Sequence, residues 1–294
     1  MSRRKSSNKT ILSIVASVVL VVLAFVGYKL GIFETEKDAS IVDGDFSVHF
    51  IDVGQGDCIL IKTNKGNMLI DAGENGKERD VLDYLSEHEV TNLEYFIATH
   101  PHSDHIGGAA EVINNLDVKN VIVSDVVHDT VTFEKMYTAI STNECNAIIA
   151  KPGSEYTFGD VKFTVLAPFE NDDNLNNMSV AIKLTYGKHS FLFTGDAEKE
   201  VEEQLLESGY DLSADVYKVA HHGSETSNTD DFIDSVNPEI AVISVGIGNS
   251  YGHPDYVVTD RLEQRNINYY MTSRKGNIVI KSDGEKLTVE CEND

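Results

Sequence analysis

The chain has 294 residues, 41% of them hydrophobic, and carries 48 acidic against 24 basic side chains, a formal charge of −24. Its apolar content supports a packed core and excludes a disordered chain, while the acidic balance excludes a broad basic face for gripping long nucleic acid. Three cysteines, odd in number and without CxxC spacing, exclude a disulfide framework.

The first segment is set apart by composition. Arg3, Arg4, Lys5 and Lys9 precede an uncharged aliphatic run over 11–28, whose 18 residues reach the length of a short membrane-spanning helix. No good small-x-small cleavage site follows, which predicts an uncleaved signal anchor. Basic residues before the run, with Glu34, Glu36 and Asp38 after it, place the N-terminus in the cytoplasm and the rest outside. The expected organisation is a basic tip and transmembrane anchor over 1–32, an acidic linker over 33–45 and one catalytic domain over 46–294. The expected location is the cell membrane, single-pass, with that domain extracellular. Five of the 24 basic residues lie in 1–32 and no acid does, so 19 face 48 in the remainder, a formal −29.

From residue 46 the pattern predicts strands over 46–53, 58–63 and 67–70, joined by glycine-containing turns. A helix over 78–88 leads to a strand over 95–98, and 108–116 reads as helical. Further strands are predicted over 120–123, 147–150, 161–166, 180–184, 191–194, 216–220 and 240–245. Helices are predicted over 133–141, 198–208 and 255–265, and a closing hairpin over 278–280 and 287–290. Two β-rich halves with helices covering one face each predict an α/β sandwich with the sheets inside. Cys58, at the start of an aliphatic strand, reads as a small buried residue.

The densest chemistry follows the strand over 95–98. In THPHSDHIGG, His100, His102, Asp104 and His105 form HxHxDH, four ligand-type residues within six. Alternating His100 and His102 can point two imidazoles one way, while adjacent Asp104 and His105 turn toward a second position. Such N and O donors suit zinc, manganese or iron. Three later clusters also end apolar runs: the Gly195-Asp196 turn, the paired His221 and His222, and His253 beside Pro254. A helix N-terminus predicted at Gly107 and Gly108 offers N–H groups to an anion.

In the order HFIDVGQGDCILI, MLIDAG, THPHSDHIGG, NNMSVAIKL, FLFTGD, VAHHGS and NSYGHP, the chain resembles the metallo-β-lactamase superfamily over about residues 46–291, and within it the ComEC-like hydrolase domains of competence proteins. The resemblance implies a four-layer αββα sandwich with a dinuclear centre between the halves. It implies His100 and His102 as ligands of a first metal and Asp104 and His105 as ligands of a second. Asp196 is the implied bridge, and His221 or its neighbour His222 the last ligand, the other standing behind it. Asp71 of LIDAG is implied to orient the ligand loop. The superfamily's usual further first-site histidine is absent from Asn176 to Ser179, which leaves Asn177 and Ser179 near a more open site; His189 falls later.

The expected function is a metal-dependent hydrolase in which two divalent ions, zinc or manganese, share a bridging hydroxide. Asp104 would orient that hydroxide, and His253 or His222 would protonate the leaving group. The expected substrate is a phosphodiester, a small nucleotide or short nucleic acid, because the ions reverse the local charge while the acidic surface repels long polyanions. A lactone, thioester or β-lactam hydrolase using the same centre is the alternative within enzymes. A non-catalytic binding or accessory module is the alternative outside them. Membrane contact is expected through the N-terminal helix alone.

Overall fold

The computed structural model describes residues 46–169 and 172–294. The basic tip, the expected anchor over 11–28 and the linker lie outside the described residues. Among the described residues no helix is long and apolar enough to cross a membrane.

Strands β1 (Phe46–Phe50), β2 (Ile59–Thr63) and β3 (Gly66–Ile70) form an antiparallel meander. Helix α1 (Glu78–Glu87) then carries the chain to β4 (Asn92–Ala98), parallel to β3. A short helix α2 (Ser103–Ile106) and helix α3 (Ala109–Asn115) lead to β5 (Asp117–Val123), and α4 (Val131–Thr142) to β6 (Asn146–Ile149). In the second half, β7 (Glu155–Phe158), β8 (Val161–Ala167), β9 (Ala181–Tyr186) and β10 (His189–Phe193) pair antiparallel with one another in that order. Helices α5 (Lys199–Glu207), α6 (Asp230–Val236) and α7 (Tyr256–Gln264) connect β10 to β11 (Val216–Lys218), β12 (Ile240–Ile243) and β13 (Asn268–Met271), all parallel. The short helix α8 (Thr272–Lys275) returns the chain to β14 (Ile278–Ser282) and β15 (Leu287–Cys291). This hairpin joins the first sheet, giving the order β15-β14-β1-β2-β3-β4-β5-β6 against β13-β12-β11-β10-β9-β8-β7.

Four layers follow from where alternating side chains go. Successive strand residues face opposite ways, so Val216 enters the core between the sheets while Tyr217 packs under the helices of the second half. Ile240 and Val242 likewise point inward, and Ala241 and Ile243 outward. A third apolar cluster, with Leu69, Phe96 and Val121, fills the space between the first sheet and α1, α3 and α4. Three apolar interfaces make four layers, the αββα sandwich expected. Aromatic rings span the inner one: Phe46 stacks on Tyr186 at 4.3 Å, and Phe50 meets Phe193 at 6.3 Å. Each fully buried large side chain contributes roughly 1.5–3 kcal/mol. Cys58 is fully buried, as expected.

Five elements escaped the pattern, the one-turn helices α2 and α8 among them. Strands β7 and β13 are sheet edges, and most of their residues are exposed or half-buried, which blurs the alternation. Helix α6 is short and acidic at its start, with Phe232, Ile233 and Val236 as its buried stripe.

Candidate metal centre

The ligand-type residues gather just past the C-terminal ends of strands from both sheets, where ligands of parallel sheets commonly bind. The loop after β4 is organised by Asp71, fully buried and in the left-handed region at φ 57°. Its Oδ1 accepts the Thr99 backbone N–H at 2.8 Å, and its Oδ2 accepts Thr99 Oγ1 at 2.6 Å and His105 Nδ1 at 2.7 Å. Asp71 therefore ties the ring of His105 to the start of the loop. His102 is extended, and α2 begins after it, so Asp104 and His105 ride a helical turn while His100 and His102 do not.

Asp104, His105, Asp196 and His222 offer ligand atoms that all lie within 4.8 Å of one another. His105 Nε2 is 3.2 Å and His222 Nε2 3.4 Å from Asp196 Oδ2, and His222 Nε2 is also 3.4 Å from Asp104 Oδ2. His105 Nε2, His222 Nε2 and Asp196 Oδ1 are buried with no hydrogen-bond partner. Unpartnered buried polar atoms are costly, and here the two nitrogens meet at the carboxylates of Asp104 and Asp196, giving two nitrogen and two carboxylate donors. That set fits a divalent cation. Without one, the same crowding moves protons: burial opposes the imidazolium of His105 and of His222, yet the surrounding carboxylates hold both well above the usual histidine range. Burial likewise opposes ionisation of Asp196, but the two imidazolium rings keep it well below the usual carboxylate range.

Of the two neighbours that the sequence left open, His222 joins Asp104, His105 and Asp196, and His221, named first for the metal set, does not. Both residues are left-handed, at φ 48° and 54°, conformations that strain side chains with a Cβ. That turn sends His222 inward, with Nδ1 2.9 Å from the Ser244 carbonyl, and sends His221 to the rim. There His221 Nε2 stands 3.8 Å from Asp196 Oδ2, and Nδ1 lies 3.5 Å from Glu198. His222, expected among the proton donors, is buried within the tetrad and lines the cleft from there.

The other side of Asp196 is sparser. His100 Nε2 is 3.0 Å from His102 Nδ1 and 3.9 Å from Asp196 Oδ2. Burial holds the pKa of His100 well below the usual value, leaving it neutral, as a ligand must be. Ser179 Oγ accepts the Asp196 backbone N–H at 3.1 Å and lies 3.3 Å from His100 Nδ1, so it braces both. Asn177 sits one step farther out, its Oδ1 accepting the Glu198 N–H and its Nδ2 donating to Asp172. His189 is elsewhere, bonded to Ser282.

Above these groups is a cleft of about 330 Å³ lined by Gln55, His102, Ser103, Asp104, Asn176, Asp196, His221, His222, Tyr251 and His253. His253 lies 5.5 Å ring to ring from His221 and stacks with Tyr251. A larger cavity of about 830 Å³, between the segment 124–130 and α4, is lined by no tetrad residue. Gly107 and Gly108 do not face the cleft. A Cβ on Gly107 would come within 2.2 Å of the Asn75 backbone nitrogen, and the Gly108 N–H points to the Gly73 carbonyl. These glycines let the ligand loop press against the LIDAG turn, where the Gly108 N–H is already taken up.

Sequence reasoning missed Asp57 and Lys218, both buried. Asp57 was visible as the carboxylate of GQGD, and Lys218 as a lone charge in the apolar run before HHGS.

A profile of the metallo-beta-lactamase superfamily matches residues 51–247, a span that holds the whole tetrad, and the chain belongs to that superfamily. With that fold and a His/Asp cluster suited to metal ions, it is a metal-dependent hydrolase. Its similarity runs to competence proteins: ComE operon protein 3 of Bacillus subtilis (strain 168) is 30% identical over 250 residues, covering 79% of this chain and 32% of that protein. Recombination protein 2 of Haemophilus influenzae is 28% identical, covering 83% and 30% respectively, and competence protein ComA of Neisseria gonorrhoeae 26% identical, covering 88% and 34%. The chain spans about a third of the length of these curated relatives. In fold it is similar to CmlA, a diiron beta-hydroxylase from Streptomyces venezuelae, with TM-score 0.58, 11% identity, and coverage of 82% of this chain and 55% of that one. The metallo-beta-lactamase fold protein YhfI from Bacillus subtilis gives TM-score 0.52 at 14% identity, covering 80% and 99%.

Proposed function

We propose that the protein is a phosphodiesterase using two divalent cations, zinc or manganese, on a small nucleotide or short nucleic acid. The observation that carries this reading is the meeting of the unpartnered His105 Nε2 and His222 Nε2 at the Asp196 carboxylate, whose Oδ2 lies 3.2 and 3.4 Å from them, beside a polar cleft that Asp196 and His222 line. Asp104, His105, Asp196 and His222 would hold one cation; His100 and His102 would hold the other, sharing Asp196. Bound cations of this kind supply an acidified water and positive charge for phosphoryl oxygens. Asp71 and Ser179 fix the donors, so little reorganisation is needed. Gln55 and Asn176 offer amide groups at the cleft wall. His253, whose Nδ1 has no partner, is the group that hands a proton to the leaving oxygen; burial lowers its proton affinity, and a bound anion offsets this. The cleft lining includes no aliphatic side chain, which favours a compact anion over the acyl part of a lactone, thioester or β-lactam.

The test is a screen of the full chain, loaded with manganese or zinc, against bis-p-nitrophenyl phosphate, a dinucleotide, a long single strand, a lactone, a thioester and a β-lactam. Turnover is expected on the first two, faster than on the long strand at low salt. Asp196→Asn should lose about 10³-fold, roughly 4 kcal/mol of transition-state stabilisation. Turnover of an acyl substrate without any phosphodiester turnover would overturn the reading.

The proposal places the domain outside the cell, anchored by residues 11–28, on the strength of the basic cluster before that run. Protease added to intact cells should then digest the domain; protection until lysis would reverse the topology.

A further inference from the structure

The most unusual group outside the tetrad is Lys218, the last residue of β11, whose side chain is completely buried. Its ammonium reaches Asp57 Oδ2 at 2.8 Å and donates to the Val219 carbonyl at 2.9 Å. Asp57 is 1% exposed, and its backbone is fixed to the first half: its N–H donates to the Asp104 carbonyl and its carbonyl accepts the Gly73 N–H. The ion pair therefore joins the two halves beneath the site. Its other carboxylate oxygen, Oδ1, has no hydrogen-bond partner and lies 3.5 Å from His222 Nδ1. That ring nitrogen also meets the Ser244 carbonyl at 2.9 Å. Two acceptors on one side of an imidazole keep a proton on Nδ1, so Nε2, beside Asp104 and Asp196, is the nitrogen left to give its proton up to a cation.

We propose that Asp57, held by Lys218, is a positioning residue for His222, fixing its ring and tautomer so that Nε2 serves as a metal ligand. The proposal rests on the metal reading above. Stability alone does not account for the pair, because a buried ion pair is often no better than apolar side chains of the same volume. Its place accounts for it. The carboxylate oxygen left over from the lysine is the one that looks at the ligand histidine.

The test uses Asp57→Asn combined with Lys218→Met, which keeps volume and leaves no unpaired buried charge. Asp57→Leu combined with Lys218→Met, which removes the facing acceptor and again leaves no unpaired charge, is measured in parallel, in case the first double variant does not fold. Cobalt is titrated into metal-free protein, with the visible absorption band and affinity against a competing chelator as readouts. The expected result is a loss of about 10–100-fold in affinity for one cobalt equivalent and an altered band, while thermal unfolding of the metal-free protein is unchanged or raised. Wild-type affinity with an unchanged band, in whichever variant folds, would make the pair purely structural and overturn the proposal. Wild-type protein that takes up no cobalt would overturn the metal reading, and this one with it.

Discussion

Histidines cluster in two places in this fold, and their surroundings differ in kind. At His49, buried on β1, Nε2 meets Ser47 Oγ at 2.8 Å and Nδ1 meets Tyr84 Oη at 2.9 Å. His88 packs edge-on against the same ring at 4.9 Å and stacks on Tyr84 at 4.2 Å. Both nitrogens of His49 are partnered by hydroxyls, and burial brings its pKa down to about 3. In the tetrad the partners are carboxylates, and two ring nitrogens and a carboxylate oxygen are left without hydrogen bonds. The tetrad itself holds two histidines, as the other cluster does; what separates a packed aromatic cluster from a cation site is whether donor atoms are left unsatisfied and share their space with negative charge.

The largest expected effect comes from exchanging neighbours within the site. His222→Ala removes a tetrad donor and should lower metal affinity by more than about 100-fold, beyond the usual loss for an outer partner. His221→Ala, on the rim, should cost less than about tenfold, with the effect appearing in substrate affinity. Calorimetric metal titration of both variants decides it, and equal losses would dissolve the distinction between floor and rim.

A smaller effect sharpens the other side of the comparison. His49→Phe should leave metal binding untouched while costing about 1–3 kcal/mol of stability, because Tyr84 Oη loses its buried partner. The pH dependence has a definite sign. The unfolded chain protonates His49 near 6.5, and the folded protein resists until about 3. Its contribution is therefore present above pH 6.5 and is lost as pH falls through that window, by roughly 1.4 kcal/mol per pH unit. Denaturant unfolding at pH 7.5 and pH 5 should show a shallower acid loss in the variant; parallel losses would remove His49 from the account.

Most of the site was legible because its residues are close in sequence. His100, His102, Asp104 and His105 share one loop, and Asp71 and Asp196 each end a strand in a recognisable turn. What stayed hidden depends on three dimensions. The choice between His221 and His222 is made by two successive left-handed residues, which reverse the inward and outward sides that a strand would give. Asp57 and Lys218 lie in different halves, and only the apposition of the sheets brings them together. The fold was legible where burial alternates cleanly and was lost at the edge strands β7 and β13, where it does not.

The return of the C-terminal hairpin to the first sheet also orders events in time. Phe46 pairs with Thr63 on one side and Ser282 on the other, so β1 lies between its nearest neighbour in the chain and one of its farthest. While the chain is being synthesised, β2 is available at once, but β14 emerges only after the entire second half. Until then β1 presents an open row of backbone donors and acceptors beside Phe46, Val48 and Phe50. The nascent protein therefore keeps its first sheet incomplete until β14 has been made, and a chain cut short before β14 would be left with an adhesive edge.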